Sequence, residues 1–269
     1  MNENTEWENQ LVEIYGSREG KNLLKIAKEH AEKYHPSLPE QLKYLQKLIN
    51  RLLENYPIQY LINESWFFEY SFFVDERVLI PRPETEELVE MAIDLIPPHA
   101  NILDIGTGSG CIAITLAKKT DATITAIDVS RDALDVAKIN AKNLKADIKF
   151  QQLNILENDE QNLLPDKYDL IISNPPYIPF HEKNRVGNNV LGIEPDTALF
   201  VKGNDALIFY EVILRFATKK LKKNGMVLFE CNEYNAHEVL QLKNTFPYFS
   251  TAFLYDDLSG KPRMVLFKN

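Results

Sequence analysis

Ile102-Leu103-Asp104-Ile105-Gly106-Thr107-Gly108-Ser109-Gly110-Cys111 is the stretch whose reading decides the fold. Apolar strand-formers run into three glycines at alternate positions, and a helical pattern then continues to about Lys119. Glycines let a ligand approach the backbone closely, and a helix N-terminus offers free N–H groups. The spacing is G-x-G-x-G, not the G-x-G-x-x-G of dinucleotide sites. The next strand, Thr123 to Ile127, ends at Asp128, where a carboxylate can accept hydrogen bonds from both hydroxyls of a ribose. A glycine loop alone describes any tight strand-to-helix turn. Together with Asp128 it points to a cofactor that carries a nucleoside.

Outward from this loop the chain alternates strand and helix. Ser130 is placed to cap a helix through Asn143, and strands follow at Ile148 to Leu153 and Asp169 to Ser173. A helix over Ala206 to Ala217, a strand at Met226 to Glu230 and a helix over Ala236 to Lys243 come next. The last strands, Phe249 to Tyr255 and Met264 to Lys268, have no helix between them and should pair antiparallel. This order predicts an α/β fold, a mostly parallel sheet covered on both faces with an antiparallel C-terminal strand. Upstream, Pro83 opens a helix with Glu84, Glu86 and Glu87 in its first turn. Trp66 to Ile80, rich in Phe and Val, reads as a hairpin. Before it the pattern is helical. A stripe of Leu23, Ala27, Ala31 and Tyr34 is followed by the capping box Ser37-Leu38-Pro39-Glu40 and a second stripe of Leu42, Leu45, Ile49 and Leu52, with a third helix expected around Glu6 to Tyr15. The expected division is a helical domain over 1–65, a hairpin linker over 66–82 and an α/β domain over 83–269.

The 269 residues carry a net charge of −9. Such a chain does not draw nucleic acid through bulk charge, which argues against direct DNA binding. No apolar run reaches the roughly 18 residues that a membrane helix needs, and the polar N-terminus lacks a secretory pattern. Cys111 and Cys231 cannot make a disulfide framework, and neither they nor the five histidines have metal-ligand spacing. A cytoplasmic protein without a metal is expected.

Asn174-Pro175-Pro176-Tyr177 directly follows the strand Asp169 to Ser173 and should face the cofactor, because ligands of open α/β sheets bind beyond the carboxyl ends of strands. An amide or exocyclic amine is a poor nucleophile, its lone pair being delocalised. The Asn174 side-chain oxygen can accept one of its N–H groups and the Pro175 carbonyl the other, which aligns the nitrogen and stabilises the positive charge growing on it. Pro175 and Pro176 stiffen the loop, and Tyr177 can stack on a planar group. Arg82 can bind a carboxylate or form a structural ion pair.

The form D-I-G-T-G-S-G resembles the cofactor loop of class I methyltransferases that use S-adenosylmethionine. Val78-Leu79-Ile80-Pro81-Arg82-Pro83-Glu84-Thr85-Glu86, that loop, and Ser173-Asn174-Pro175-Pro176-Tyr177-Ile178 occur in the order of the HemK/PrmC family, the protein-glutamine methyltransferases of peptide chain release factors. The likeness extends from Pro57-Ile58-Gln59-Tyr60 to Gly260-Lys261-Pro262-Arg263 and includes Glu194-Pro195. It implies a Rossmann-like fold and methylation of the glutamine amide in the Gly-Gly-Gln motif of class I release factors, with the N-terminal helices docking that substrate. It implies S-adenosyl-L-methionine held by Asp104, Gly106, Thr107, Gly108, Ser109, Gly110, Asp128, Asn154, Ile155 and Asn174. It further implies catalysis by Asn174, Pro175 and Tyr177, and substrate binding by Asn174, Pro175, Pro176 and Tyr177. The sequence departs from the family pattern at Asn63 and Glu69, where glycines are usual, at Asn154, where an acid is usual, at Lys202-Gly203, which replaces a glycine pair, and at Asn235, which replaces a glutamine. Rival readings are glutamine methylation of a ribosomal protein, adenine-N6 methylation of DNA, which shares N-P-P-Y, and a cofactor-binding module without catalysis.

Overall fold

In the computed structural model the chain opens on α1 (Glu3–Tyr34), α2 (Leu38–Leu53) and α3 (Ile58–Ile62). The structure describes residues 3–164, 167–185, 187, 190–201, 203 and 205–269. α1 is broken at Gly16, whose φ of 80° no helix interior allows, so the segment is two helices end to end. Trp7, Leu11, Leu23, Leu24, Ala27 and Ala31 bury against Leu45, Leu48, Ile49 and Leu52 of α2. Tyr34 departs from its expected place in the buried stripe and is 54% exposed at the C-terminal end of the helix. Glu40 closes the N-terminus of α2 by accepting from both the N–H and the hydroxyl of Ser37. Asn63 ends α3 in the left-handed conformation, φ 52°, a position asparagine occupies with little penalty where a glycine would otherwise stand.

A second compact unit comprises residues 65–185 and 194–269; the first comprises 1–64 and 186–193. The second unit begins with the antiparallel pair β1 (Ser65–Phe67) and β2 (Tyr70–Phe72). Residues 73–82, expected as part of the hairpin, form no strand. Their backbone is occupied elsewhere: Asn140 accepts from the Phe73 N–H at 2.7 Å and donates to its carbonyl at 2.9 Å. Phe67 and Phe72 are fully buried against the sheet and its helices, so the hairpin is part of this unit's core.

The elements that follow are α4 (Pro83–Leu95), β3 (Asn101–Ile105), α5 (Cys111–Lys119), β4 (Thr123–Asp128), α6 (Arg131–Leu144), β5 (Lys149–Gln152), α7 (Asn158–Gln161) and β6 (Tyr168–Ser173). A short parallel pair, β7 (Ile178–Pro179) and β8 (Phe200–Val201), flanks α8 (Asp196–Leu199). The chain closes with α9 (Ile208–Lys220), β9 (Leu221–Glu230), α10 (Ala236–Thr245), β10 (Thr251–Asp256) and β11 (Pro262–Lys268). Among the described residues, seven strands make the main sheet in the order β10-β11-β9-β6-β3-β4-β5. β5, β4, β3, β6 and β9 run parallel; β11 is antiparallel to both β9 and β10. One apolar layer lies on each face. Leu103, Ile171, Val227 and Phe267 meet α9 and α10, while Ile102, Leu170, Leu228 and Leu266 meet α4 and α5. The strand order reverses between β3 and β6, and loops leaving the carboxyl ends of neighbouring strands diverge there, which opens a crevice.

Candidate active site

A cavity of about 400 Å³ fills that crevice. Gly106 and Gly108 line it from the β3 loop, Asp128 from the end of β4, Asn154 and Ile155 from the end of β5, and Asn174, Pro175 and Pro176 from the end of β6. Residues far apart in sequence are thus gathered at one edge of the sheet.

The glycine loop is held from below. The N–H groups of Gly106 and Thr107 donate to the Ile127 carbonyl at 2.9 and 3.0 Å. Gly106 and Gly108 have φ values of 76° and 54°, and a Cβ on either would meet no atom within 4 Å. Their bare faces therefore border open space. Gly110 has a different job. Its φ is 83°, and a Cβ there would lie 2.9 Å from the Ile114 side chain, so it permits close packing at the start of α5. Gly110, Asp104, Thr107 and Ser109 were expected as cofactor contacts, but none of them lines the cavity. Asp104, Thr107 and Ser109 are buried behind the loop. Burial pushes the Asp104 carboxyl up to about 7.

Asp128 accepts from the N–H of Gly108 and from the N–H of Ser130, each at 2.9 Å. It thereby ties the glycine loop to the start of α6, a role the spacing alone did not disclose. Burial raises its pKa, while those two N–H groups pull it down. A carboxylate has about four acceptor positions, so capacity remains for a ligand. Asn154 turns its own chain: its Oδ1 accepts from the Leu156 N–H at 3.1 Å, and its N–H donates to Glu160 at 2.6 Å.

Asn174 meets a partner that the sequence reading missed. Its Nδ2 lies 3.2 Å from Thr85 Oγ1, whose hydroxyl in turn donates to Glu230 at 2.7 Å. Tyr177 is half-buried. Its ring packs on the apolar cluster under α9 and does not line the cavity, and burial pushes its phenol up to about 12. A ring so held anchors the loop through the face packed on that cluster and keeps part of its surface open. Arg82 takes the structural role. Its Nη2 lies 2.7 and 2.9 Å from the two oxygens of Glu194, whose side chain is 1% exposed. Asn140, also unanticipated, links the residue 73 segment to the glycine loop by donating to the Ser109 carbonyl at 2.9 Å. Its only sequence signal is an amide on the otherwise apolar face of α6. Lys202 and residues 186, 188 and 189 of the polar 181–191 loop lie outside the described residues. Among the described residues no cluster of acidic, His and Cys side chains gathers as a metal ion would require, and no helix is long and apolar enough to cross a membrane.

The methyltransferase-domain family matches residues 96–250. The release factor glutamine methyltransferase of Flavobacterium psychrophilum is 44% identical over 231 residues, covering 84% of this chain and 80% of its own. The chain belongs to the release factor glutamine methyltransferase family. The release factor glutamine methyltransferase of Streptococcus pneumoniae is 42% identical over 230 residues, with 84% and 80% covered. That of Lactococcus lactis is 38% identical, with 85% and 83% covered. Among solved structures, a methyltransferase from Pyrococcus furiosus shares the fold, with a TM-score of 0.56 at 16% identity over 81% of this chain and 96% of that one.

S-adenosylmethionine is the cofactor of the release factor glutamine methyltransferase family, and the residues present fit it. The bare faces of Gly106 and Gly108 leave room at the loop, Asp128 has acceptor positions to spare, and Leu153, Ile155 and Leu156 offer an apolar wall for a planar base.

Proposed function

We propose that the chain methylates the side-chain amide nitrogen of the glutamine in the Gly-Gly-Gln motif of a class I release factor, and that Asn174 and Pro175 are its catalytic groups. One observation carries the reading. Asn174 borders the cavity with its amide NH2 turned to Thr85, and among the described residues its carbonyl oxygen has no partner and can accept from a substrate. The names of the relatives support a release factor as substrate.

Bound S-adenosylmethionine supplies a methyl group already activated by a positive sulfur. The protein's share of the work is orientation. The Asn174 oxygen and the Pro175 carbonyl each accept one N–H of the glutamine amide, fixing its nitrogen in line and stabilising the charge that develops there. The nitrogen gains the methyl group as the methyl–sulfur bond breaks with its electron pair left on sulfur, and the nitrogen's proton passes to water. No strong base is needed. Gly106, Gly108, Asp128, Asn154 and Ile155 are proposed to hold the cofactor. Asp104, Thr107, Ser109 and Gly110 shape the loop from behind. Pro176 and the half-buried Tyr177 keep the acceptors aimed. The helical segment 1–65 is proposed to dock the protein substrate.

The test of substrate is transfer of labelled methyl to purified release factor, to the same factor with its Gly-Gly-Gln glutamine changed to alanine, to ribosomal proteins and to DNA. Label in the first arm alone is expected. Equal labelling of the altered factor, or labelling of DNA, contradicts the proposal.

A further inference from the structure

We infer that Thr85 and Glu230 are positioning residues that decide which end of the Asn174 amide faces the substrate. The inference rests on the proposed role of Asn174 and extends it two residues back.

An Asn amide has two ends of nearly equal size, one accepting and one donating. Only the accepting end can hold a substrate N–H; turned the other way, Asn174 would set donor against donor. Packing cannot choose between these orientations, so hydrogen bonding must. Thr85 has a single hydroxyl proton. Its oxygen lies 2.7 Å from Glu230 Oε2 and 3.2 Å from Asn174 Nδ2. An ionised carboxylate accepts only, so it takes the Thr85 proton. The Thr85 oxygen then has nothing but lone pairs for Asn174, and the NH2 end must turn towards it. If Glu230 is protonated it gains an O–H that can donate to Thr85 instead. The Thr85 proton is then released towards Asn174, which favours the reversed amide. The three groups come from the first turn of α4, the end of β9 and the end of β6, and Thr85 and Glu230 are both buried.

Charged and titratable groups face Glu230 from every side. Arg263 of β11 and Arg82 favour its ionised form and Glu84 opposes it, while Tyr177, Tyr210, Cys231 and Cys111 are held neutral by burial. Burial outweighs the arginines and pushes Glu230 up to about 7. The accepting orientation is therefore enforced above that pH and no longer enforced below it.

The experiment measures kcat and KM against pH for the full-length chain with S-adenosylmethionine and release factor. The parent should lose kcat as pH falls through about 7. Glu230→Gln should have a lower kcat and no acidic limb in it. Thr85→Val, isosteric but without the hydroxyl, should lose about tenfold in kcat with KM for S-adenosylmethionine unchanged, and Thr85→Ser should restore the rate. Asp104, also near 7, borders the glycine loop, and its titration is read in KM for the cofactor. A folded Thr85→Val enzyme with parental kcat overturns the relay, as does an acidic limb of kcat that persists in Glu230→Gln. Should Thr85→Val not fold, failure of Thr85→Ser to match the parent also overturns it. None of these outcomes touches the role of Asn174, which fails separately if Asn174→Ala keeps the parental rate.

Discussion

Asp128 shows how one side chain can both build a site and serve it. Its two oxygens hold the N–H groups of Gly108 and Ser130 and still leave acceptor positions towards the cavity. Asp128→Ala should therefore loosen the loop and also leave the ribose hydroxyls unpaired. The expected loss is on the order of 2 kcal/mol, about thirtyfold in affinity for S-adenosylmethionine. Calorimetric titration of a folded variant measures it, and unchanged affinity would remove Asp128 from the site. The position of Asp128 was legible because a strand end two elements from a glycine loop is fixed by the chain's alternation. Its bond to Gly108 was not, since nothing in the order of residues says which loop N–H groups lack a carbonyl. The same limit applies to Tyr177. An aromatic after two prolines suits stacking or anchoring equally well, and only the fold shows that one face of its ring packs on the α9 cluster.

At the scale of elements, the central strands β3, β4 and β6 follow the hydrophobic pattern closely, because each is short and mostly apolar. The misreading lay in residues 73–82. Phe73, Val74, Val78 and Leu79 have strand-forming side chains, yet the backbone at Phe73 is held by Asn140 from 67 residues away. Tertiary contact overrode local propensity there. The same holds for the Thr85 to Glu230 bond, which spans 145 residues. Asn140 is 1% exposed and satisfies three backbone groups. Asn140→Ala leaves them buried without partners, so it should cost about 2–4 kcal/mol in urea unfolding. A loss below about 0.5 kcal/mol would show that this stitch carries no stability.

On the scale of the whole molecule, the contacts separate a helical unit from the α/β unit, with residue 65 beginning the second. Phe67 and Phe72 lie in the core of the α/β unit, so a shortened chain should start at Ser65 and retain the hairpin. Its circular dichroism should report a folded protein, and calorimetry should find affinity for S-adenosylmethionine within about threefold of the parent, a difference under 1 kcal/mol. Methylation of intact release factor should fall to background. Full activity on that substrate would refute docking by residues 1–64.

All of these readings converge on the acceptor at Asn174. The most direct measurement is single-turnover methylation of release factor by Asn174→Ala at saturating S-adenosylmethionine, with circular dichroism to establish the fold. Removing one preorganised contact at developing charge predicts a rate about 10² to 10³ below the parent. A folded variant within about threefold of the parental rate would contradict the account.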